Sequence, residues 1–270
     1  MKKILSALHP EWIKIQKYRT FWILTGIYAA TLVVLLFSLQ EILSNSSANV
    51  DNKSSMPIPT IPFYVFPGVW HNLTYIAGYL KIFPAFLIII LITNEFTFRT
   101  LKQQIISGTS LTEFLIGKIG LIFLLSVLVA MLVGISALIA GLIQSKPDFN
   151  QIFSTKLYFI PVHALELFTY IMVAASFAFL LKRAGITVIA FLLYSLILER
   201  ILVFKLPWHI GKFLPIEAIG HLIPVPNTQI MQRFGVSFNE NTSMQAVFTC
   251  FAWIIILTLV IYGLLKKRDL

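Results

Sequence analysis

Four side chains with chemically useful groups lie within long apolar stretches, where such groups are rare. His163, Glu166 and Tyr170 are three and four residues apart, spacings that place them on one face of a helix, and Lys81 lies in an earlier apolar stretch. A histidine beside a carboxylate could bind a metal ion or transfer protons. A catalytic metal site normally needs three protein ligands, and no other histidine has a recognisable spacing to this pair. The sequence therefore predicts no catalytic residue, no metal site and no cofactor site.

Two further interpretations of these four residues remain open. The face formed by His163, Glu166 and Tyr170 could line a translocation pathway, or its polar groups could be hydrogen-bonded at the outer end of a helix. Burial of Lys81 at mid-depth would cost about 3 kcal/mol on insertion scales. Its ammonium could instead extend to the bilayer surface, or it could take part in a substrate or interhelix contact.

A second polar group lies between two apolar runs, from Glu95 to Lys118. We expect an amphipathic helix from Glu95 to Ser107, ended by Ser107-Gly108 and followed by a capping box formed by Ser110 and Glu113. An ordinary solvated loop is the alternative. The candidate partner-coupling residues are Glu95, Phe98, Arg99, Thr100, Leu101, Lys102, Gln103, Gln104, Ser107, Gly108, Ser110 and Glu113.

The composition determines which elements position these groups. Of the 270 residues 58% are hydrophobic and only 12% are charged, whereas about 25% are charged in soluble domains. The net charge of +10 comes largely from basic residues at the ends of apolar runs, a pattern typical of membrane topology rather than of nucleic-acid binding. Cys250 is the only cysteine, so a disulfide framework within the chain is excluded. The chain is predicted to be an all-α integral membrane protein.

The apolar runs predict one transmembrane domain over residues 1–270 with six spans. Pro84 should kink the second span, and the proline-rich stretch 205–243 should form short re-entrant or surface helices before the last span. The positive-inside rule places both termini and residues 95–113 in the cytoplasm and residues 40–73 and 205–243 outside. The predicted spans cover about 21–39, 74–93, 114–143, 157–181, 185–204 and 244–265.

An amphipathic helix is predicted over residues 10–20, before the first span. Its lysines could contact anionic lipid headgroups while its aromatic side chains lie at headgroup depth. The alternative is a plain basic flank of the first span. The residues assigned to this interfacial helix are Trp12, Lys14, Lys17, Tyr18 and Arg19.

The segment from Glu95 to Lys118 resembles the cytoplasmic loop of the type-2 permease family of ATP-binding-cassette (ABC) transporters. The resemblance rests on Glu95, the run Arg99-Thr100-Leu101-Lys102-Gln103-Gln104, the break Ser107-Gly108, and then Ser110, Glu113-Phe114 and Lys118. Arg99 replaces the usual glycine, Lys102 the usual arginine, and Leu111-Thr112 stand where an arginine is frequent. The interfacial helix and the number of spans also match the family.

The resemblance implies a permease subunit in a bacterial cytoplasmic membrane, most often of an exporter, coupled through residues 95–113 to separate ATPase subunits that bind ATP and magnesium. A second permease copy or a related chain would complete the pathway. The sequence itself contains no phosphate-binding loop of the G-x-x-x-x-G-K-[ST] type. The alternatives are an intramembrane enzyme that uses His163 and Glu166, and a membrane anchor without transport.

Overall fold

The described part of the chain is helical and contains no strand. In a computed structural model, the residues described are 14, 16, 18–50 (backbone alone at 36, 37 and 39–50), 64–145, 149–153, 155–226 and 240–267. The helices are α1 (Arg19–Val50), α2 (Gly68–Ala77), α3 (Ile82–Thr97), α4 (Thr100–Ile106), α5 (Leu111–Gln144), α6 (Phe149–Ile152), α7 (Phe159–Leu181), α8 (Ala184–Leu193), α9 (Glu199–Lys205), α10 (Trp208–Gly211), α11 (Pro215–Gly220) and α12 (Met244–Lys266). A 3-10 turn at Gly78–Lys81 joins α2 to α3, another at Thr155–Tyr158 precedes α7, and a π-helical turn at Tyr194–Leu198 joins α8 to α9.

Five helical stretches of the described chain are long and apolar enough to cross a bilayer. They coincide with the second to sixth predicted spans, because an apolar run of about 20 residues is a local signal. The apolar part of α1 that is described, Arg19–Leu35, is shorter, so the first predicted span is not among the five. The chain is thus an all-α, membrane-embedded protein. The five stretches are Gly68–Thr97, Leu111–Gln144, Phe149–Leu181, Ala184–Lys205 and Met244–Lys266.

Helix α7 lies at the centre of the bundle and packs against α3, α5, α8 and α12. Ala174, Ala175 and Ala178 on this helix are fully buried. Small side chains let neighbouring helices approach closely, which compensates in lipid for the absence of a hydrophobic driving force between helices. Because α7 carries His163, Glu166 and Tyr170, these side chains face other helices.

The irregularity predicted at Pro84 takes the form of the 3-10 turn at Gly78–Lys81. Pro84 has no N–H to donate to the carbonyl of Leu80, and its ring disfavours regular helix in the preceding turn. Gly78 lies so close to α7 that a Cβ built on it would come within 3.0 Å of a carboxylate oxygen of Glu166. The turn therefore brings Lys81 beside α7.

The predicted helix from Glu95 to Ser107 is wrong in its first part. Helix α3 continues to Thr97, the chain breaks at Phe98 and Arg99, and α4 begins at Thr100. Arg99 has a left-handed backbone conformation with φ of 55°, so the regular helix of α3 cannot continue through it. Glu95 stays with the span because its carboxylate is buried against two lysines.

The ends of α2, α7 and α12 opposite to α4, here called the far end, are held together by polar contacts. His71 Nε2 lies 2.8 Å from the carbonyl oxygen of Pro224, and its ring stacks on Phe159 with the centroids 4.0 Å apart. Lys156 Nζ lies 2.6 Å from Glu240 Oε2. The short helices α10 and α11 lie at this end, as predicted for the stretch before the last span.

Gly141 on α5 gives a test of this packing. A Cβ at this position would overlap the ring of Phe66, a buried residue in the cluster that covers the far end of α5. Gly141→Ala should therefore lower the free energy of unfolding by about 1–3 kcal/mol through overpacking, although alanine is the better helix former. Denaturant unfolding in detergent micelles measures the change.

Gly263→Ala on α12 is the matched control, because its Cβ would meet nothing within 4 Å. This variant should be neutral or slightly stabilised. Equal effects of the two substitutions would mean that Phe66 does not pack on Gly141.

Candidate functional site

Lys81, His163, Glu166 and Tyr170, selected separately in the sequence, meet in the structure and are called the intramembrane cluster. The Glu166 carboxylate accepts from both sides: Lys81 Nζ lies 2.8 Å from Oε1 and His163 Nδ1 lies 3.0 Å from Oε2. The Lys81 ammonium also lies 5.2 Å from the centroid of the Tyr170 ring, within cation–π range. Of the interpretations considered for Lys81, the geometry agrees with an interhelix contact.

Burial makes the intramembrane cluster an internal feature of this chain. The side chains of His163 and Glu166 are 0% and 5% exposed, while that of Lys81 is 21% exposed. In this conformation the face of α7 that carries the cluster is covered by other helices, and Lys81 is the member nearest to the surface. If the cluster borders a pathway, the helices around α7 must move apart to open it.

With an ionised Glu166, which can only accept, the hydrogen-bond pattern assigns a proton to the Nδ1 atom of His163. Its Nε2 atom is buried and has no hydrogen-bond partner among the described residues. The described residues also include no group of three or more His, Cys, Asp and Glu side chains that could hold a metal ion. The arrangement can neutralise a buried lysine and join two helices.

A second buried charge group lies at the base of the loop and is called the loop-base cluster. Glu95, at the end of α3, accepts through Oε1 from Lys118 Nζ at 2.6 Å and from Lys14 Nζ at 2.8 Å. The Lys118 side chain on α5 is only 3% exposed. Asn94 Nδ2 donates to the Tyr18 hydroxyl at 2.6 Å. These contacts join the N-terminal segment, α3 and α5 at one point.

Sequence reasoning missed the pairing of Glu95 with Lys118. Both residues interrupt apolar runs near the same end of two consecutive spans, 23 positions apart. The sequence signal that could have revealed this pair is the presence of two opposite charges at equal depth on adjacent antiparallel spans. Lys14 and Tyr18, assigned to the interfacial helix, form hydrogen bonds with α3, and Arg19 is exposed. Trp12 and Lys17 lie outside the described residues.

Helix α4 has one buried side and one exposed side. Leu101 is 2% exposed and Ile105 packs partly against the main core. Lys102 and Gln103 are exposed, as is Arg99, while Gln104 and Thr100 are half-buried. Phe98, one of the candidate partner-coupling residues, is 67% exposed because it lies in the break before α4. The loop therefore presents polar groups and an aromatic ring to its surroundings.

The predicted capping box at the start of α5 is confirmed. Glu113 N donates to Ser110 Oγ at 3.3 Å, and Ser110 N donates to Glu113 Oε2 at 3.0 Å. Before it, Ser107 Oγ donates to the carbonyl of Gln104 at 2.7 Å, and Gly108 has a φ of 97° that few other residues adopt. Only Gly108 and Thr109 therefore separate Ser107, the C-cap of α4, from Ser110, the N-cap of α5.

Comparisons with known proteins do not identify a relative. No model of a protein family matches the sequence, and the curated proteins contain no match to it.

A double-mutant cycle tests the Lys81–Glu166 pair. Glu166→Gln leaves the partly buried ammonium of Lys81 without its counter-charge, and Lys81→Met leaves the buried carboxylate of Glu166 without its cation. Each single substitution should cost about 3 kcal/mol in unfolding free energy, the lower end of the range for buried pairs, because Lys81 is partly exposed. Denaturant unfolding in detergent provides the measurement.

The double variant is the control for this cycle. With both charges removed, it should regain most of the lost stability, since a neutral pair of similar size carries no desolvation penalty. Costs that simply add in the double variant would show that the two charges do not stabilise each other.

Proposed function

We propose that this chain is the membrane-spanning permease subunit of a type-2 ABC transporter, working as an exporter and driven by separate ATPase subunits. The observation that carries the proposal is the short helix α4, held between two spans with its polar side exposed. A soluble partner needs such an element to act on a bundle that is otherwise buried in lipid. The likeness of residues 95–118 to the family's loop agrees with this role.

The attachment of α4 suits it to transmit force. Leu101 fixes its inner side in the core, and the loop-base cluster links α3 to α5 directly below it. The capping box starts α5 within a few residues of α4, so a displacement of α4 would tilt α5 rather than be absorbed by a slack loop. Small movements at the loop would thus reach the far end through flanking helical stretches of 30 and 34 residues.

In this proposal the partner ATPase binds ATP and magnesium and docks on the α4 side of the bundle. Arg99, Lys102 and Gln103 would supply polar contacts, and the exposed ring of Phe98 would fill a pocket of the partner. A second permease subunit, either another copy or a related chain, would complete the pathway. The intramembrane cluster would then be the contact that breaks or shifts when helices around α7 separate.

The proposed orientation places both termini and α4 in the cytoplasm of a bacterial inner membrane, with α1 as the first of six spans. Its support is the concentration of basic residues near the α4 end, at 14, 19, 99–118, 182–183 and 266–267. An intramembrane enzyme and a non-transporting anchor are distinguished from the permease by the experiments below.

Cysteine labelling tests the orientation. In a Cys250→Ala background, Gln104→Cys should react with a membrane-impermeant maleimide only after the membrane is permeabilised. Asn241→Cys, at the far end, is the matched control and should react in intact cells. Labelling of the cysteine at position 104 in intact cells would reverse the proposed topology.

The docking role of α4 is tested by charge reversal. ATPase chains that co-purify with the tagged wild-type protein would be identified by a phosphate-binding loop in their sequences, purified and titrated against each variant. Arg99→Glu combined with Lys102→Glu should weaken binding by about 1–3 kcal/mol, if these contacts are partly desolvated. ATP hydrolysis coupled to this subunit should fall in parallel.

The matched control combines Lys266→Glu with Lys267→Glu, which reverses two exposed charges at the same end of the bundle but outside the loop. It should bind as the wild type does. Unchanged binding of the Arg99 and Lys102 variant would move the docking site elsewhere, and the absence of any co-purifying ATPase would reject the permease. An activity lost in His163→Ala without any ATPase would identify the enzyme alternative.

A further inference from the structure

An open groove of about 650 Å³ runs along the surface of α12 from the far end of the bundle. One side of α12 forms its floor through Gln245, Phe248, Thr249, Ala252, Trp253 and Ile256, and Phe213 completes the lining. The volume lies within the range of about 300–1,000 Å³ that is usual for small-molecule sites. The floor is apolar except for Gln245 at the far end and Thr249 one turn further along α12, whose hydroxyl donates to the carbonyl oxygen of Gln245 at 2.8 Å.

The length of the groove matches the depth of one lipid leaflet. Gln245 and Ile256 are eleven residues apart on α12, which is about 16 Å at the helical rise of 1.5 Å per residue. The hydrocarbon core of a bilayer is about 30 Å thick, so one leaflet contributes about half of it. A single extended acyl chain would lie along this floor from the headgroup level to the bilayer midplane.

A lysine stands where the headgroup of such a lipid would lie. Lys212 Nζ donates to Gln245 Oε1 at 3.3 Å and lies 5.2 Å from the centroid of the Phe213 ring. The indole N–H of Trp253 donates to the carbonyl oxygen of Phe213 at 2.7 Å, which holds Phe213 against α12. The groove thus has a built apolar channel and a positive group at its mouth.

Two further basic residues lie on α9, the helix against which the Lys212 turn packs. A Cβ built on Gly211, next to Lys212, would lie 3.5 Å from the carbonyl oxygen of Val203, so this turn packs closely on α9. Arg200 and Lys205 lie on either side of Val203 and are exposed. Within the described ranges, Lys212, Arg200 and Lys205 form no ion pair with a carboxylate. An anionic group is the complement of this mouth.

We propose that the groove binds one anionic phospholipid of the surrounding bilayer, with an acyl chain along α12 and the phosphate beside Lys212. The site does not depend on the proposed transporter function, since it is formed by α12 and the α10–α11 segment alone. Selectivity for anionic over zwitterionic lipid should be about fivefold, the effect of one basic residue near the membrane surface.

Quenching of Trp253 tests the proposal directly. A full-length variant retaining Trp253 alone, with Trp12, Trp22, Trp70 and Trp208 changed to Phe, is reconstituted in phosphatidylcholine bilayers that contain increasing fractions of brominated lipid. Brominated phosphatidylglycerol should reach half-maximal quenching at an approximately fivefold lower fraction than brominated phosphatidylcholine. Lys212→Ala should abolish this difference, and Lys266→Ala, at the other end of α12, should preserve it.

A tryptophan outside the groove provides the positional control. Leu259→Trp in a chain without the other five tryptophans places the reporter on an exposed, lipid-facing part of α12, where the two brominated lipids should quench equally. Equal quenching of Trp253 by both lipids, or selectivity that survives Lys212→Ala, would overturn the proposal. Absence of quenching by either lipid would also overturn it, because another protein chain would then cover the groove.

A second measurement keeps all native tryptophans and so does not depend on the multiple substitution. Native mass spectrometry of the protein released from mixed bilayers counts the retained lipids. Ala252→Trp, which fills the floor of the groove, should lose one retained phosphatidylglycerol relative to the wild type, whereas Leu259→Trp should not. Equal lipid retention in these two variants would reject the site.

Discussion

A carboxylate within the hydrocarbon layer is tolerated only if a cation and further donors reach it, and Glu166 sets this condition for the whole bundle. An isolated charge there would cost several kcal/mol, so α7 must lie where Lys81 and His163 can both contact its oxygens. Meeting that requirement needs a helix that is irregular at Gly78–Lys81 and a residue without a side chain at position 78. The close packing of α3 and α7 and the buried ring of Tyr170 follow from the same contact.

The same solution is used a second time at the α4 end of the bundle. Glu95 is buried and receives two lysines, one from the N-terminal segment and one from α5. Each cluster fixes a junction between elements that are distant in sequence, one in the middle of the bundle and one beneath the exposed α4. Together with the polar contacts at the far end, these two ionic junctions fix how the helices are aligned along their axes.

Features governed by local physics could be predicted from the sequence. Apolar length located the last five spans, the four-residue pattern located the capping box at Ser110, and helical periodicity placed His163, Glu166 and Tyr170 on one face. Features governed by tertiary contacts could not be predicted. The polar pattern from Glu95 to Ser107 is continuous, and only the burial of Glu95 against Lys14 and Lys118 explains why α4 begins at Thr100 instead. The sequence also could not show that Glu166 is the partner of Lys81, because the two residues are 85 positions apart.

That separation of 85 residues also has a consequence for how the protein is made. Chains are synthesised at about 5–20 residues per second, so Lys81 emerges roughly 4 to 17 seconds before Glu166 exists. During this interval its native counter-charge is absent from the growing chain, and its ammonium must be accommodated by water, headgroups or the insertion machinery. Lys118, by contrast, follows its carboxylate after only 23 residues. Correct insertion of the α2–α3 span is therefore expected to be completed only when α7 arrives, which makes the order of synthesis a part of the folding pathway.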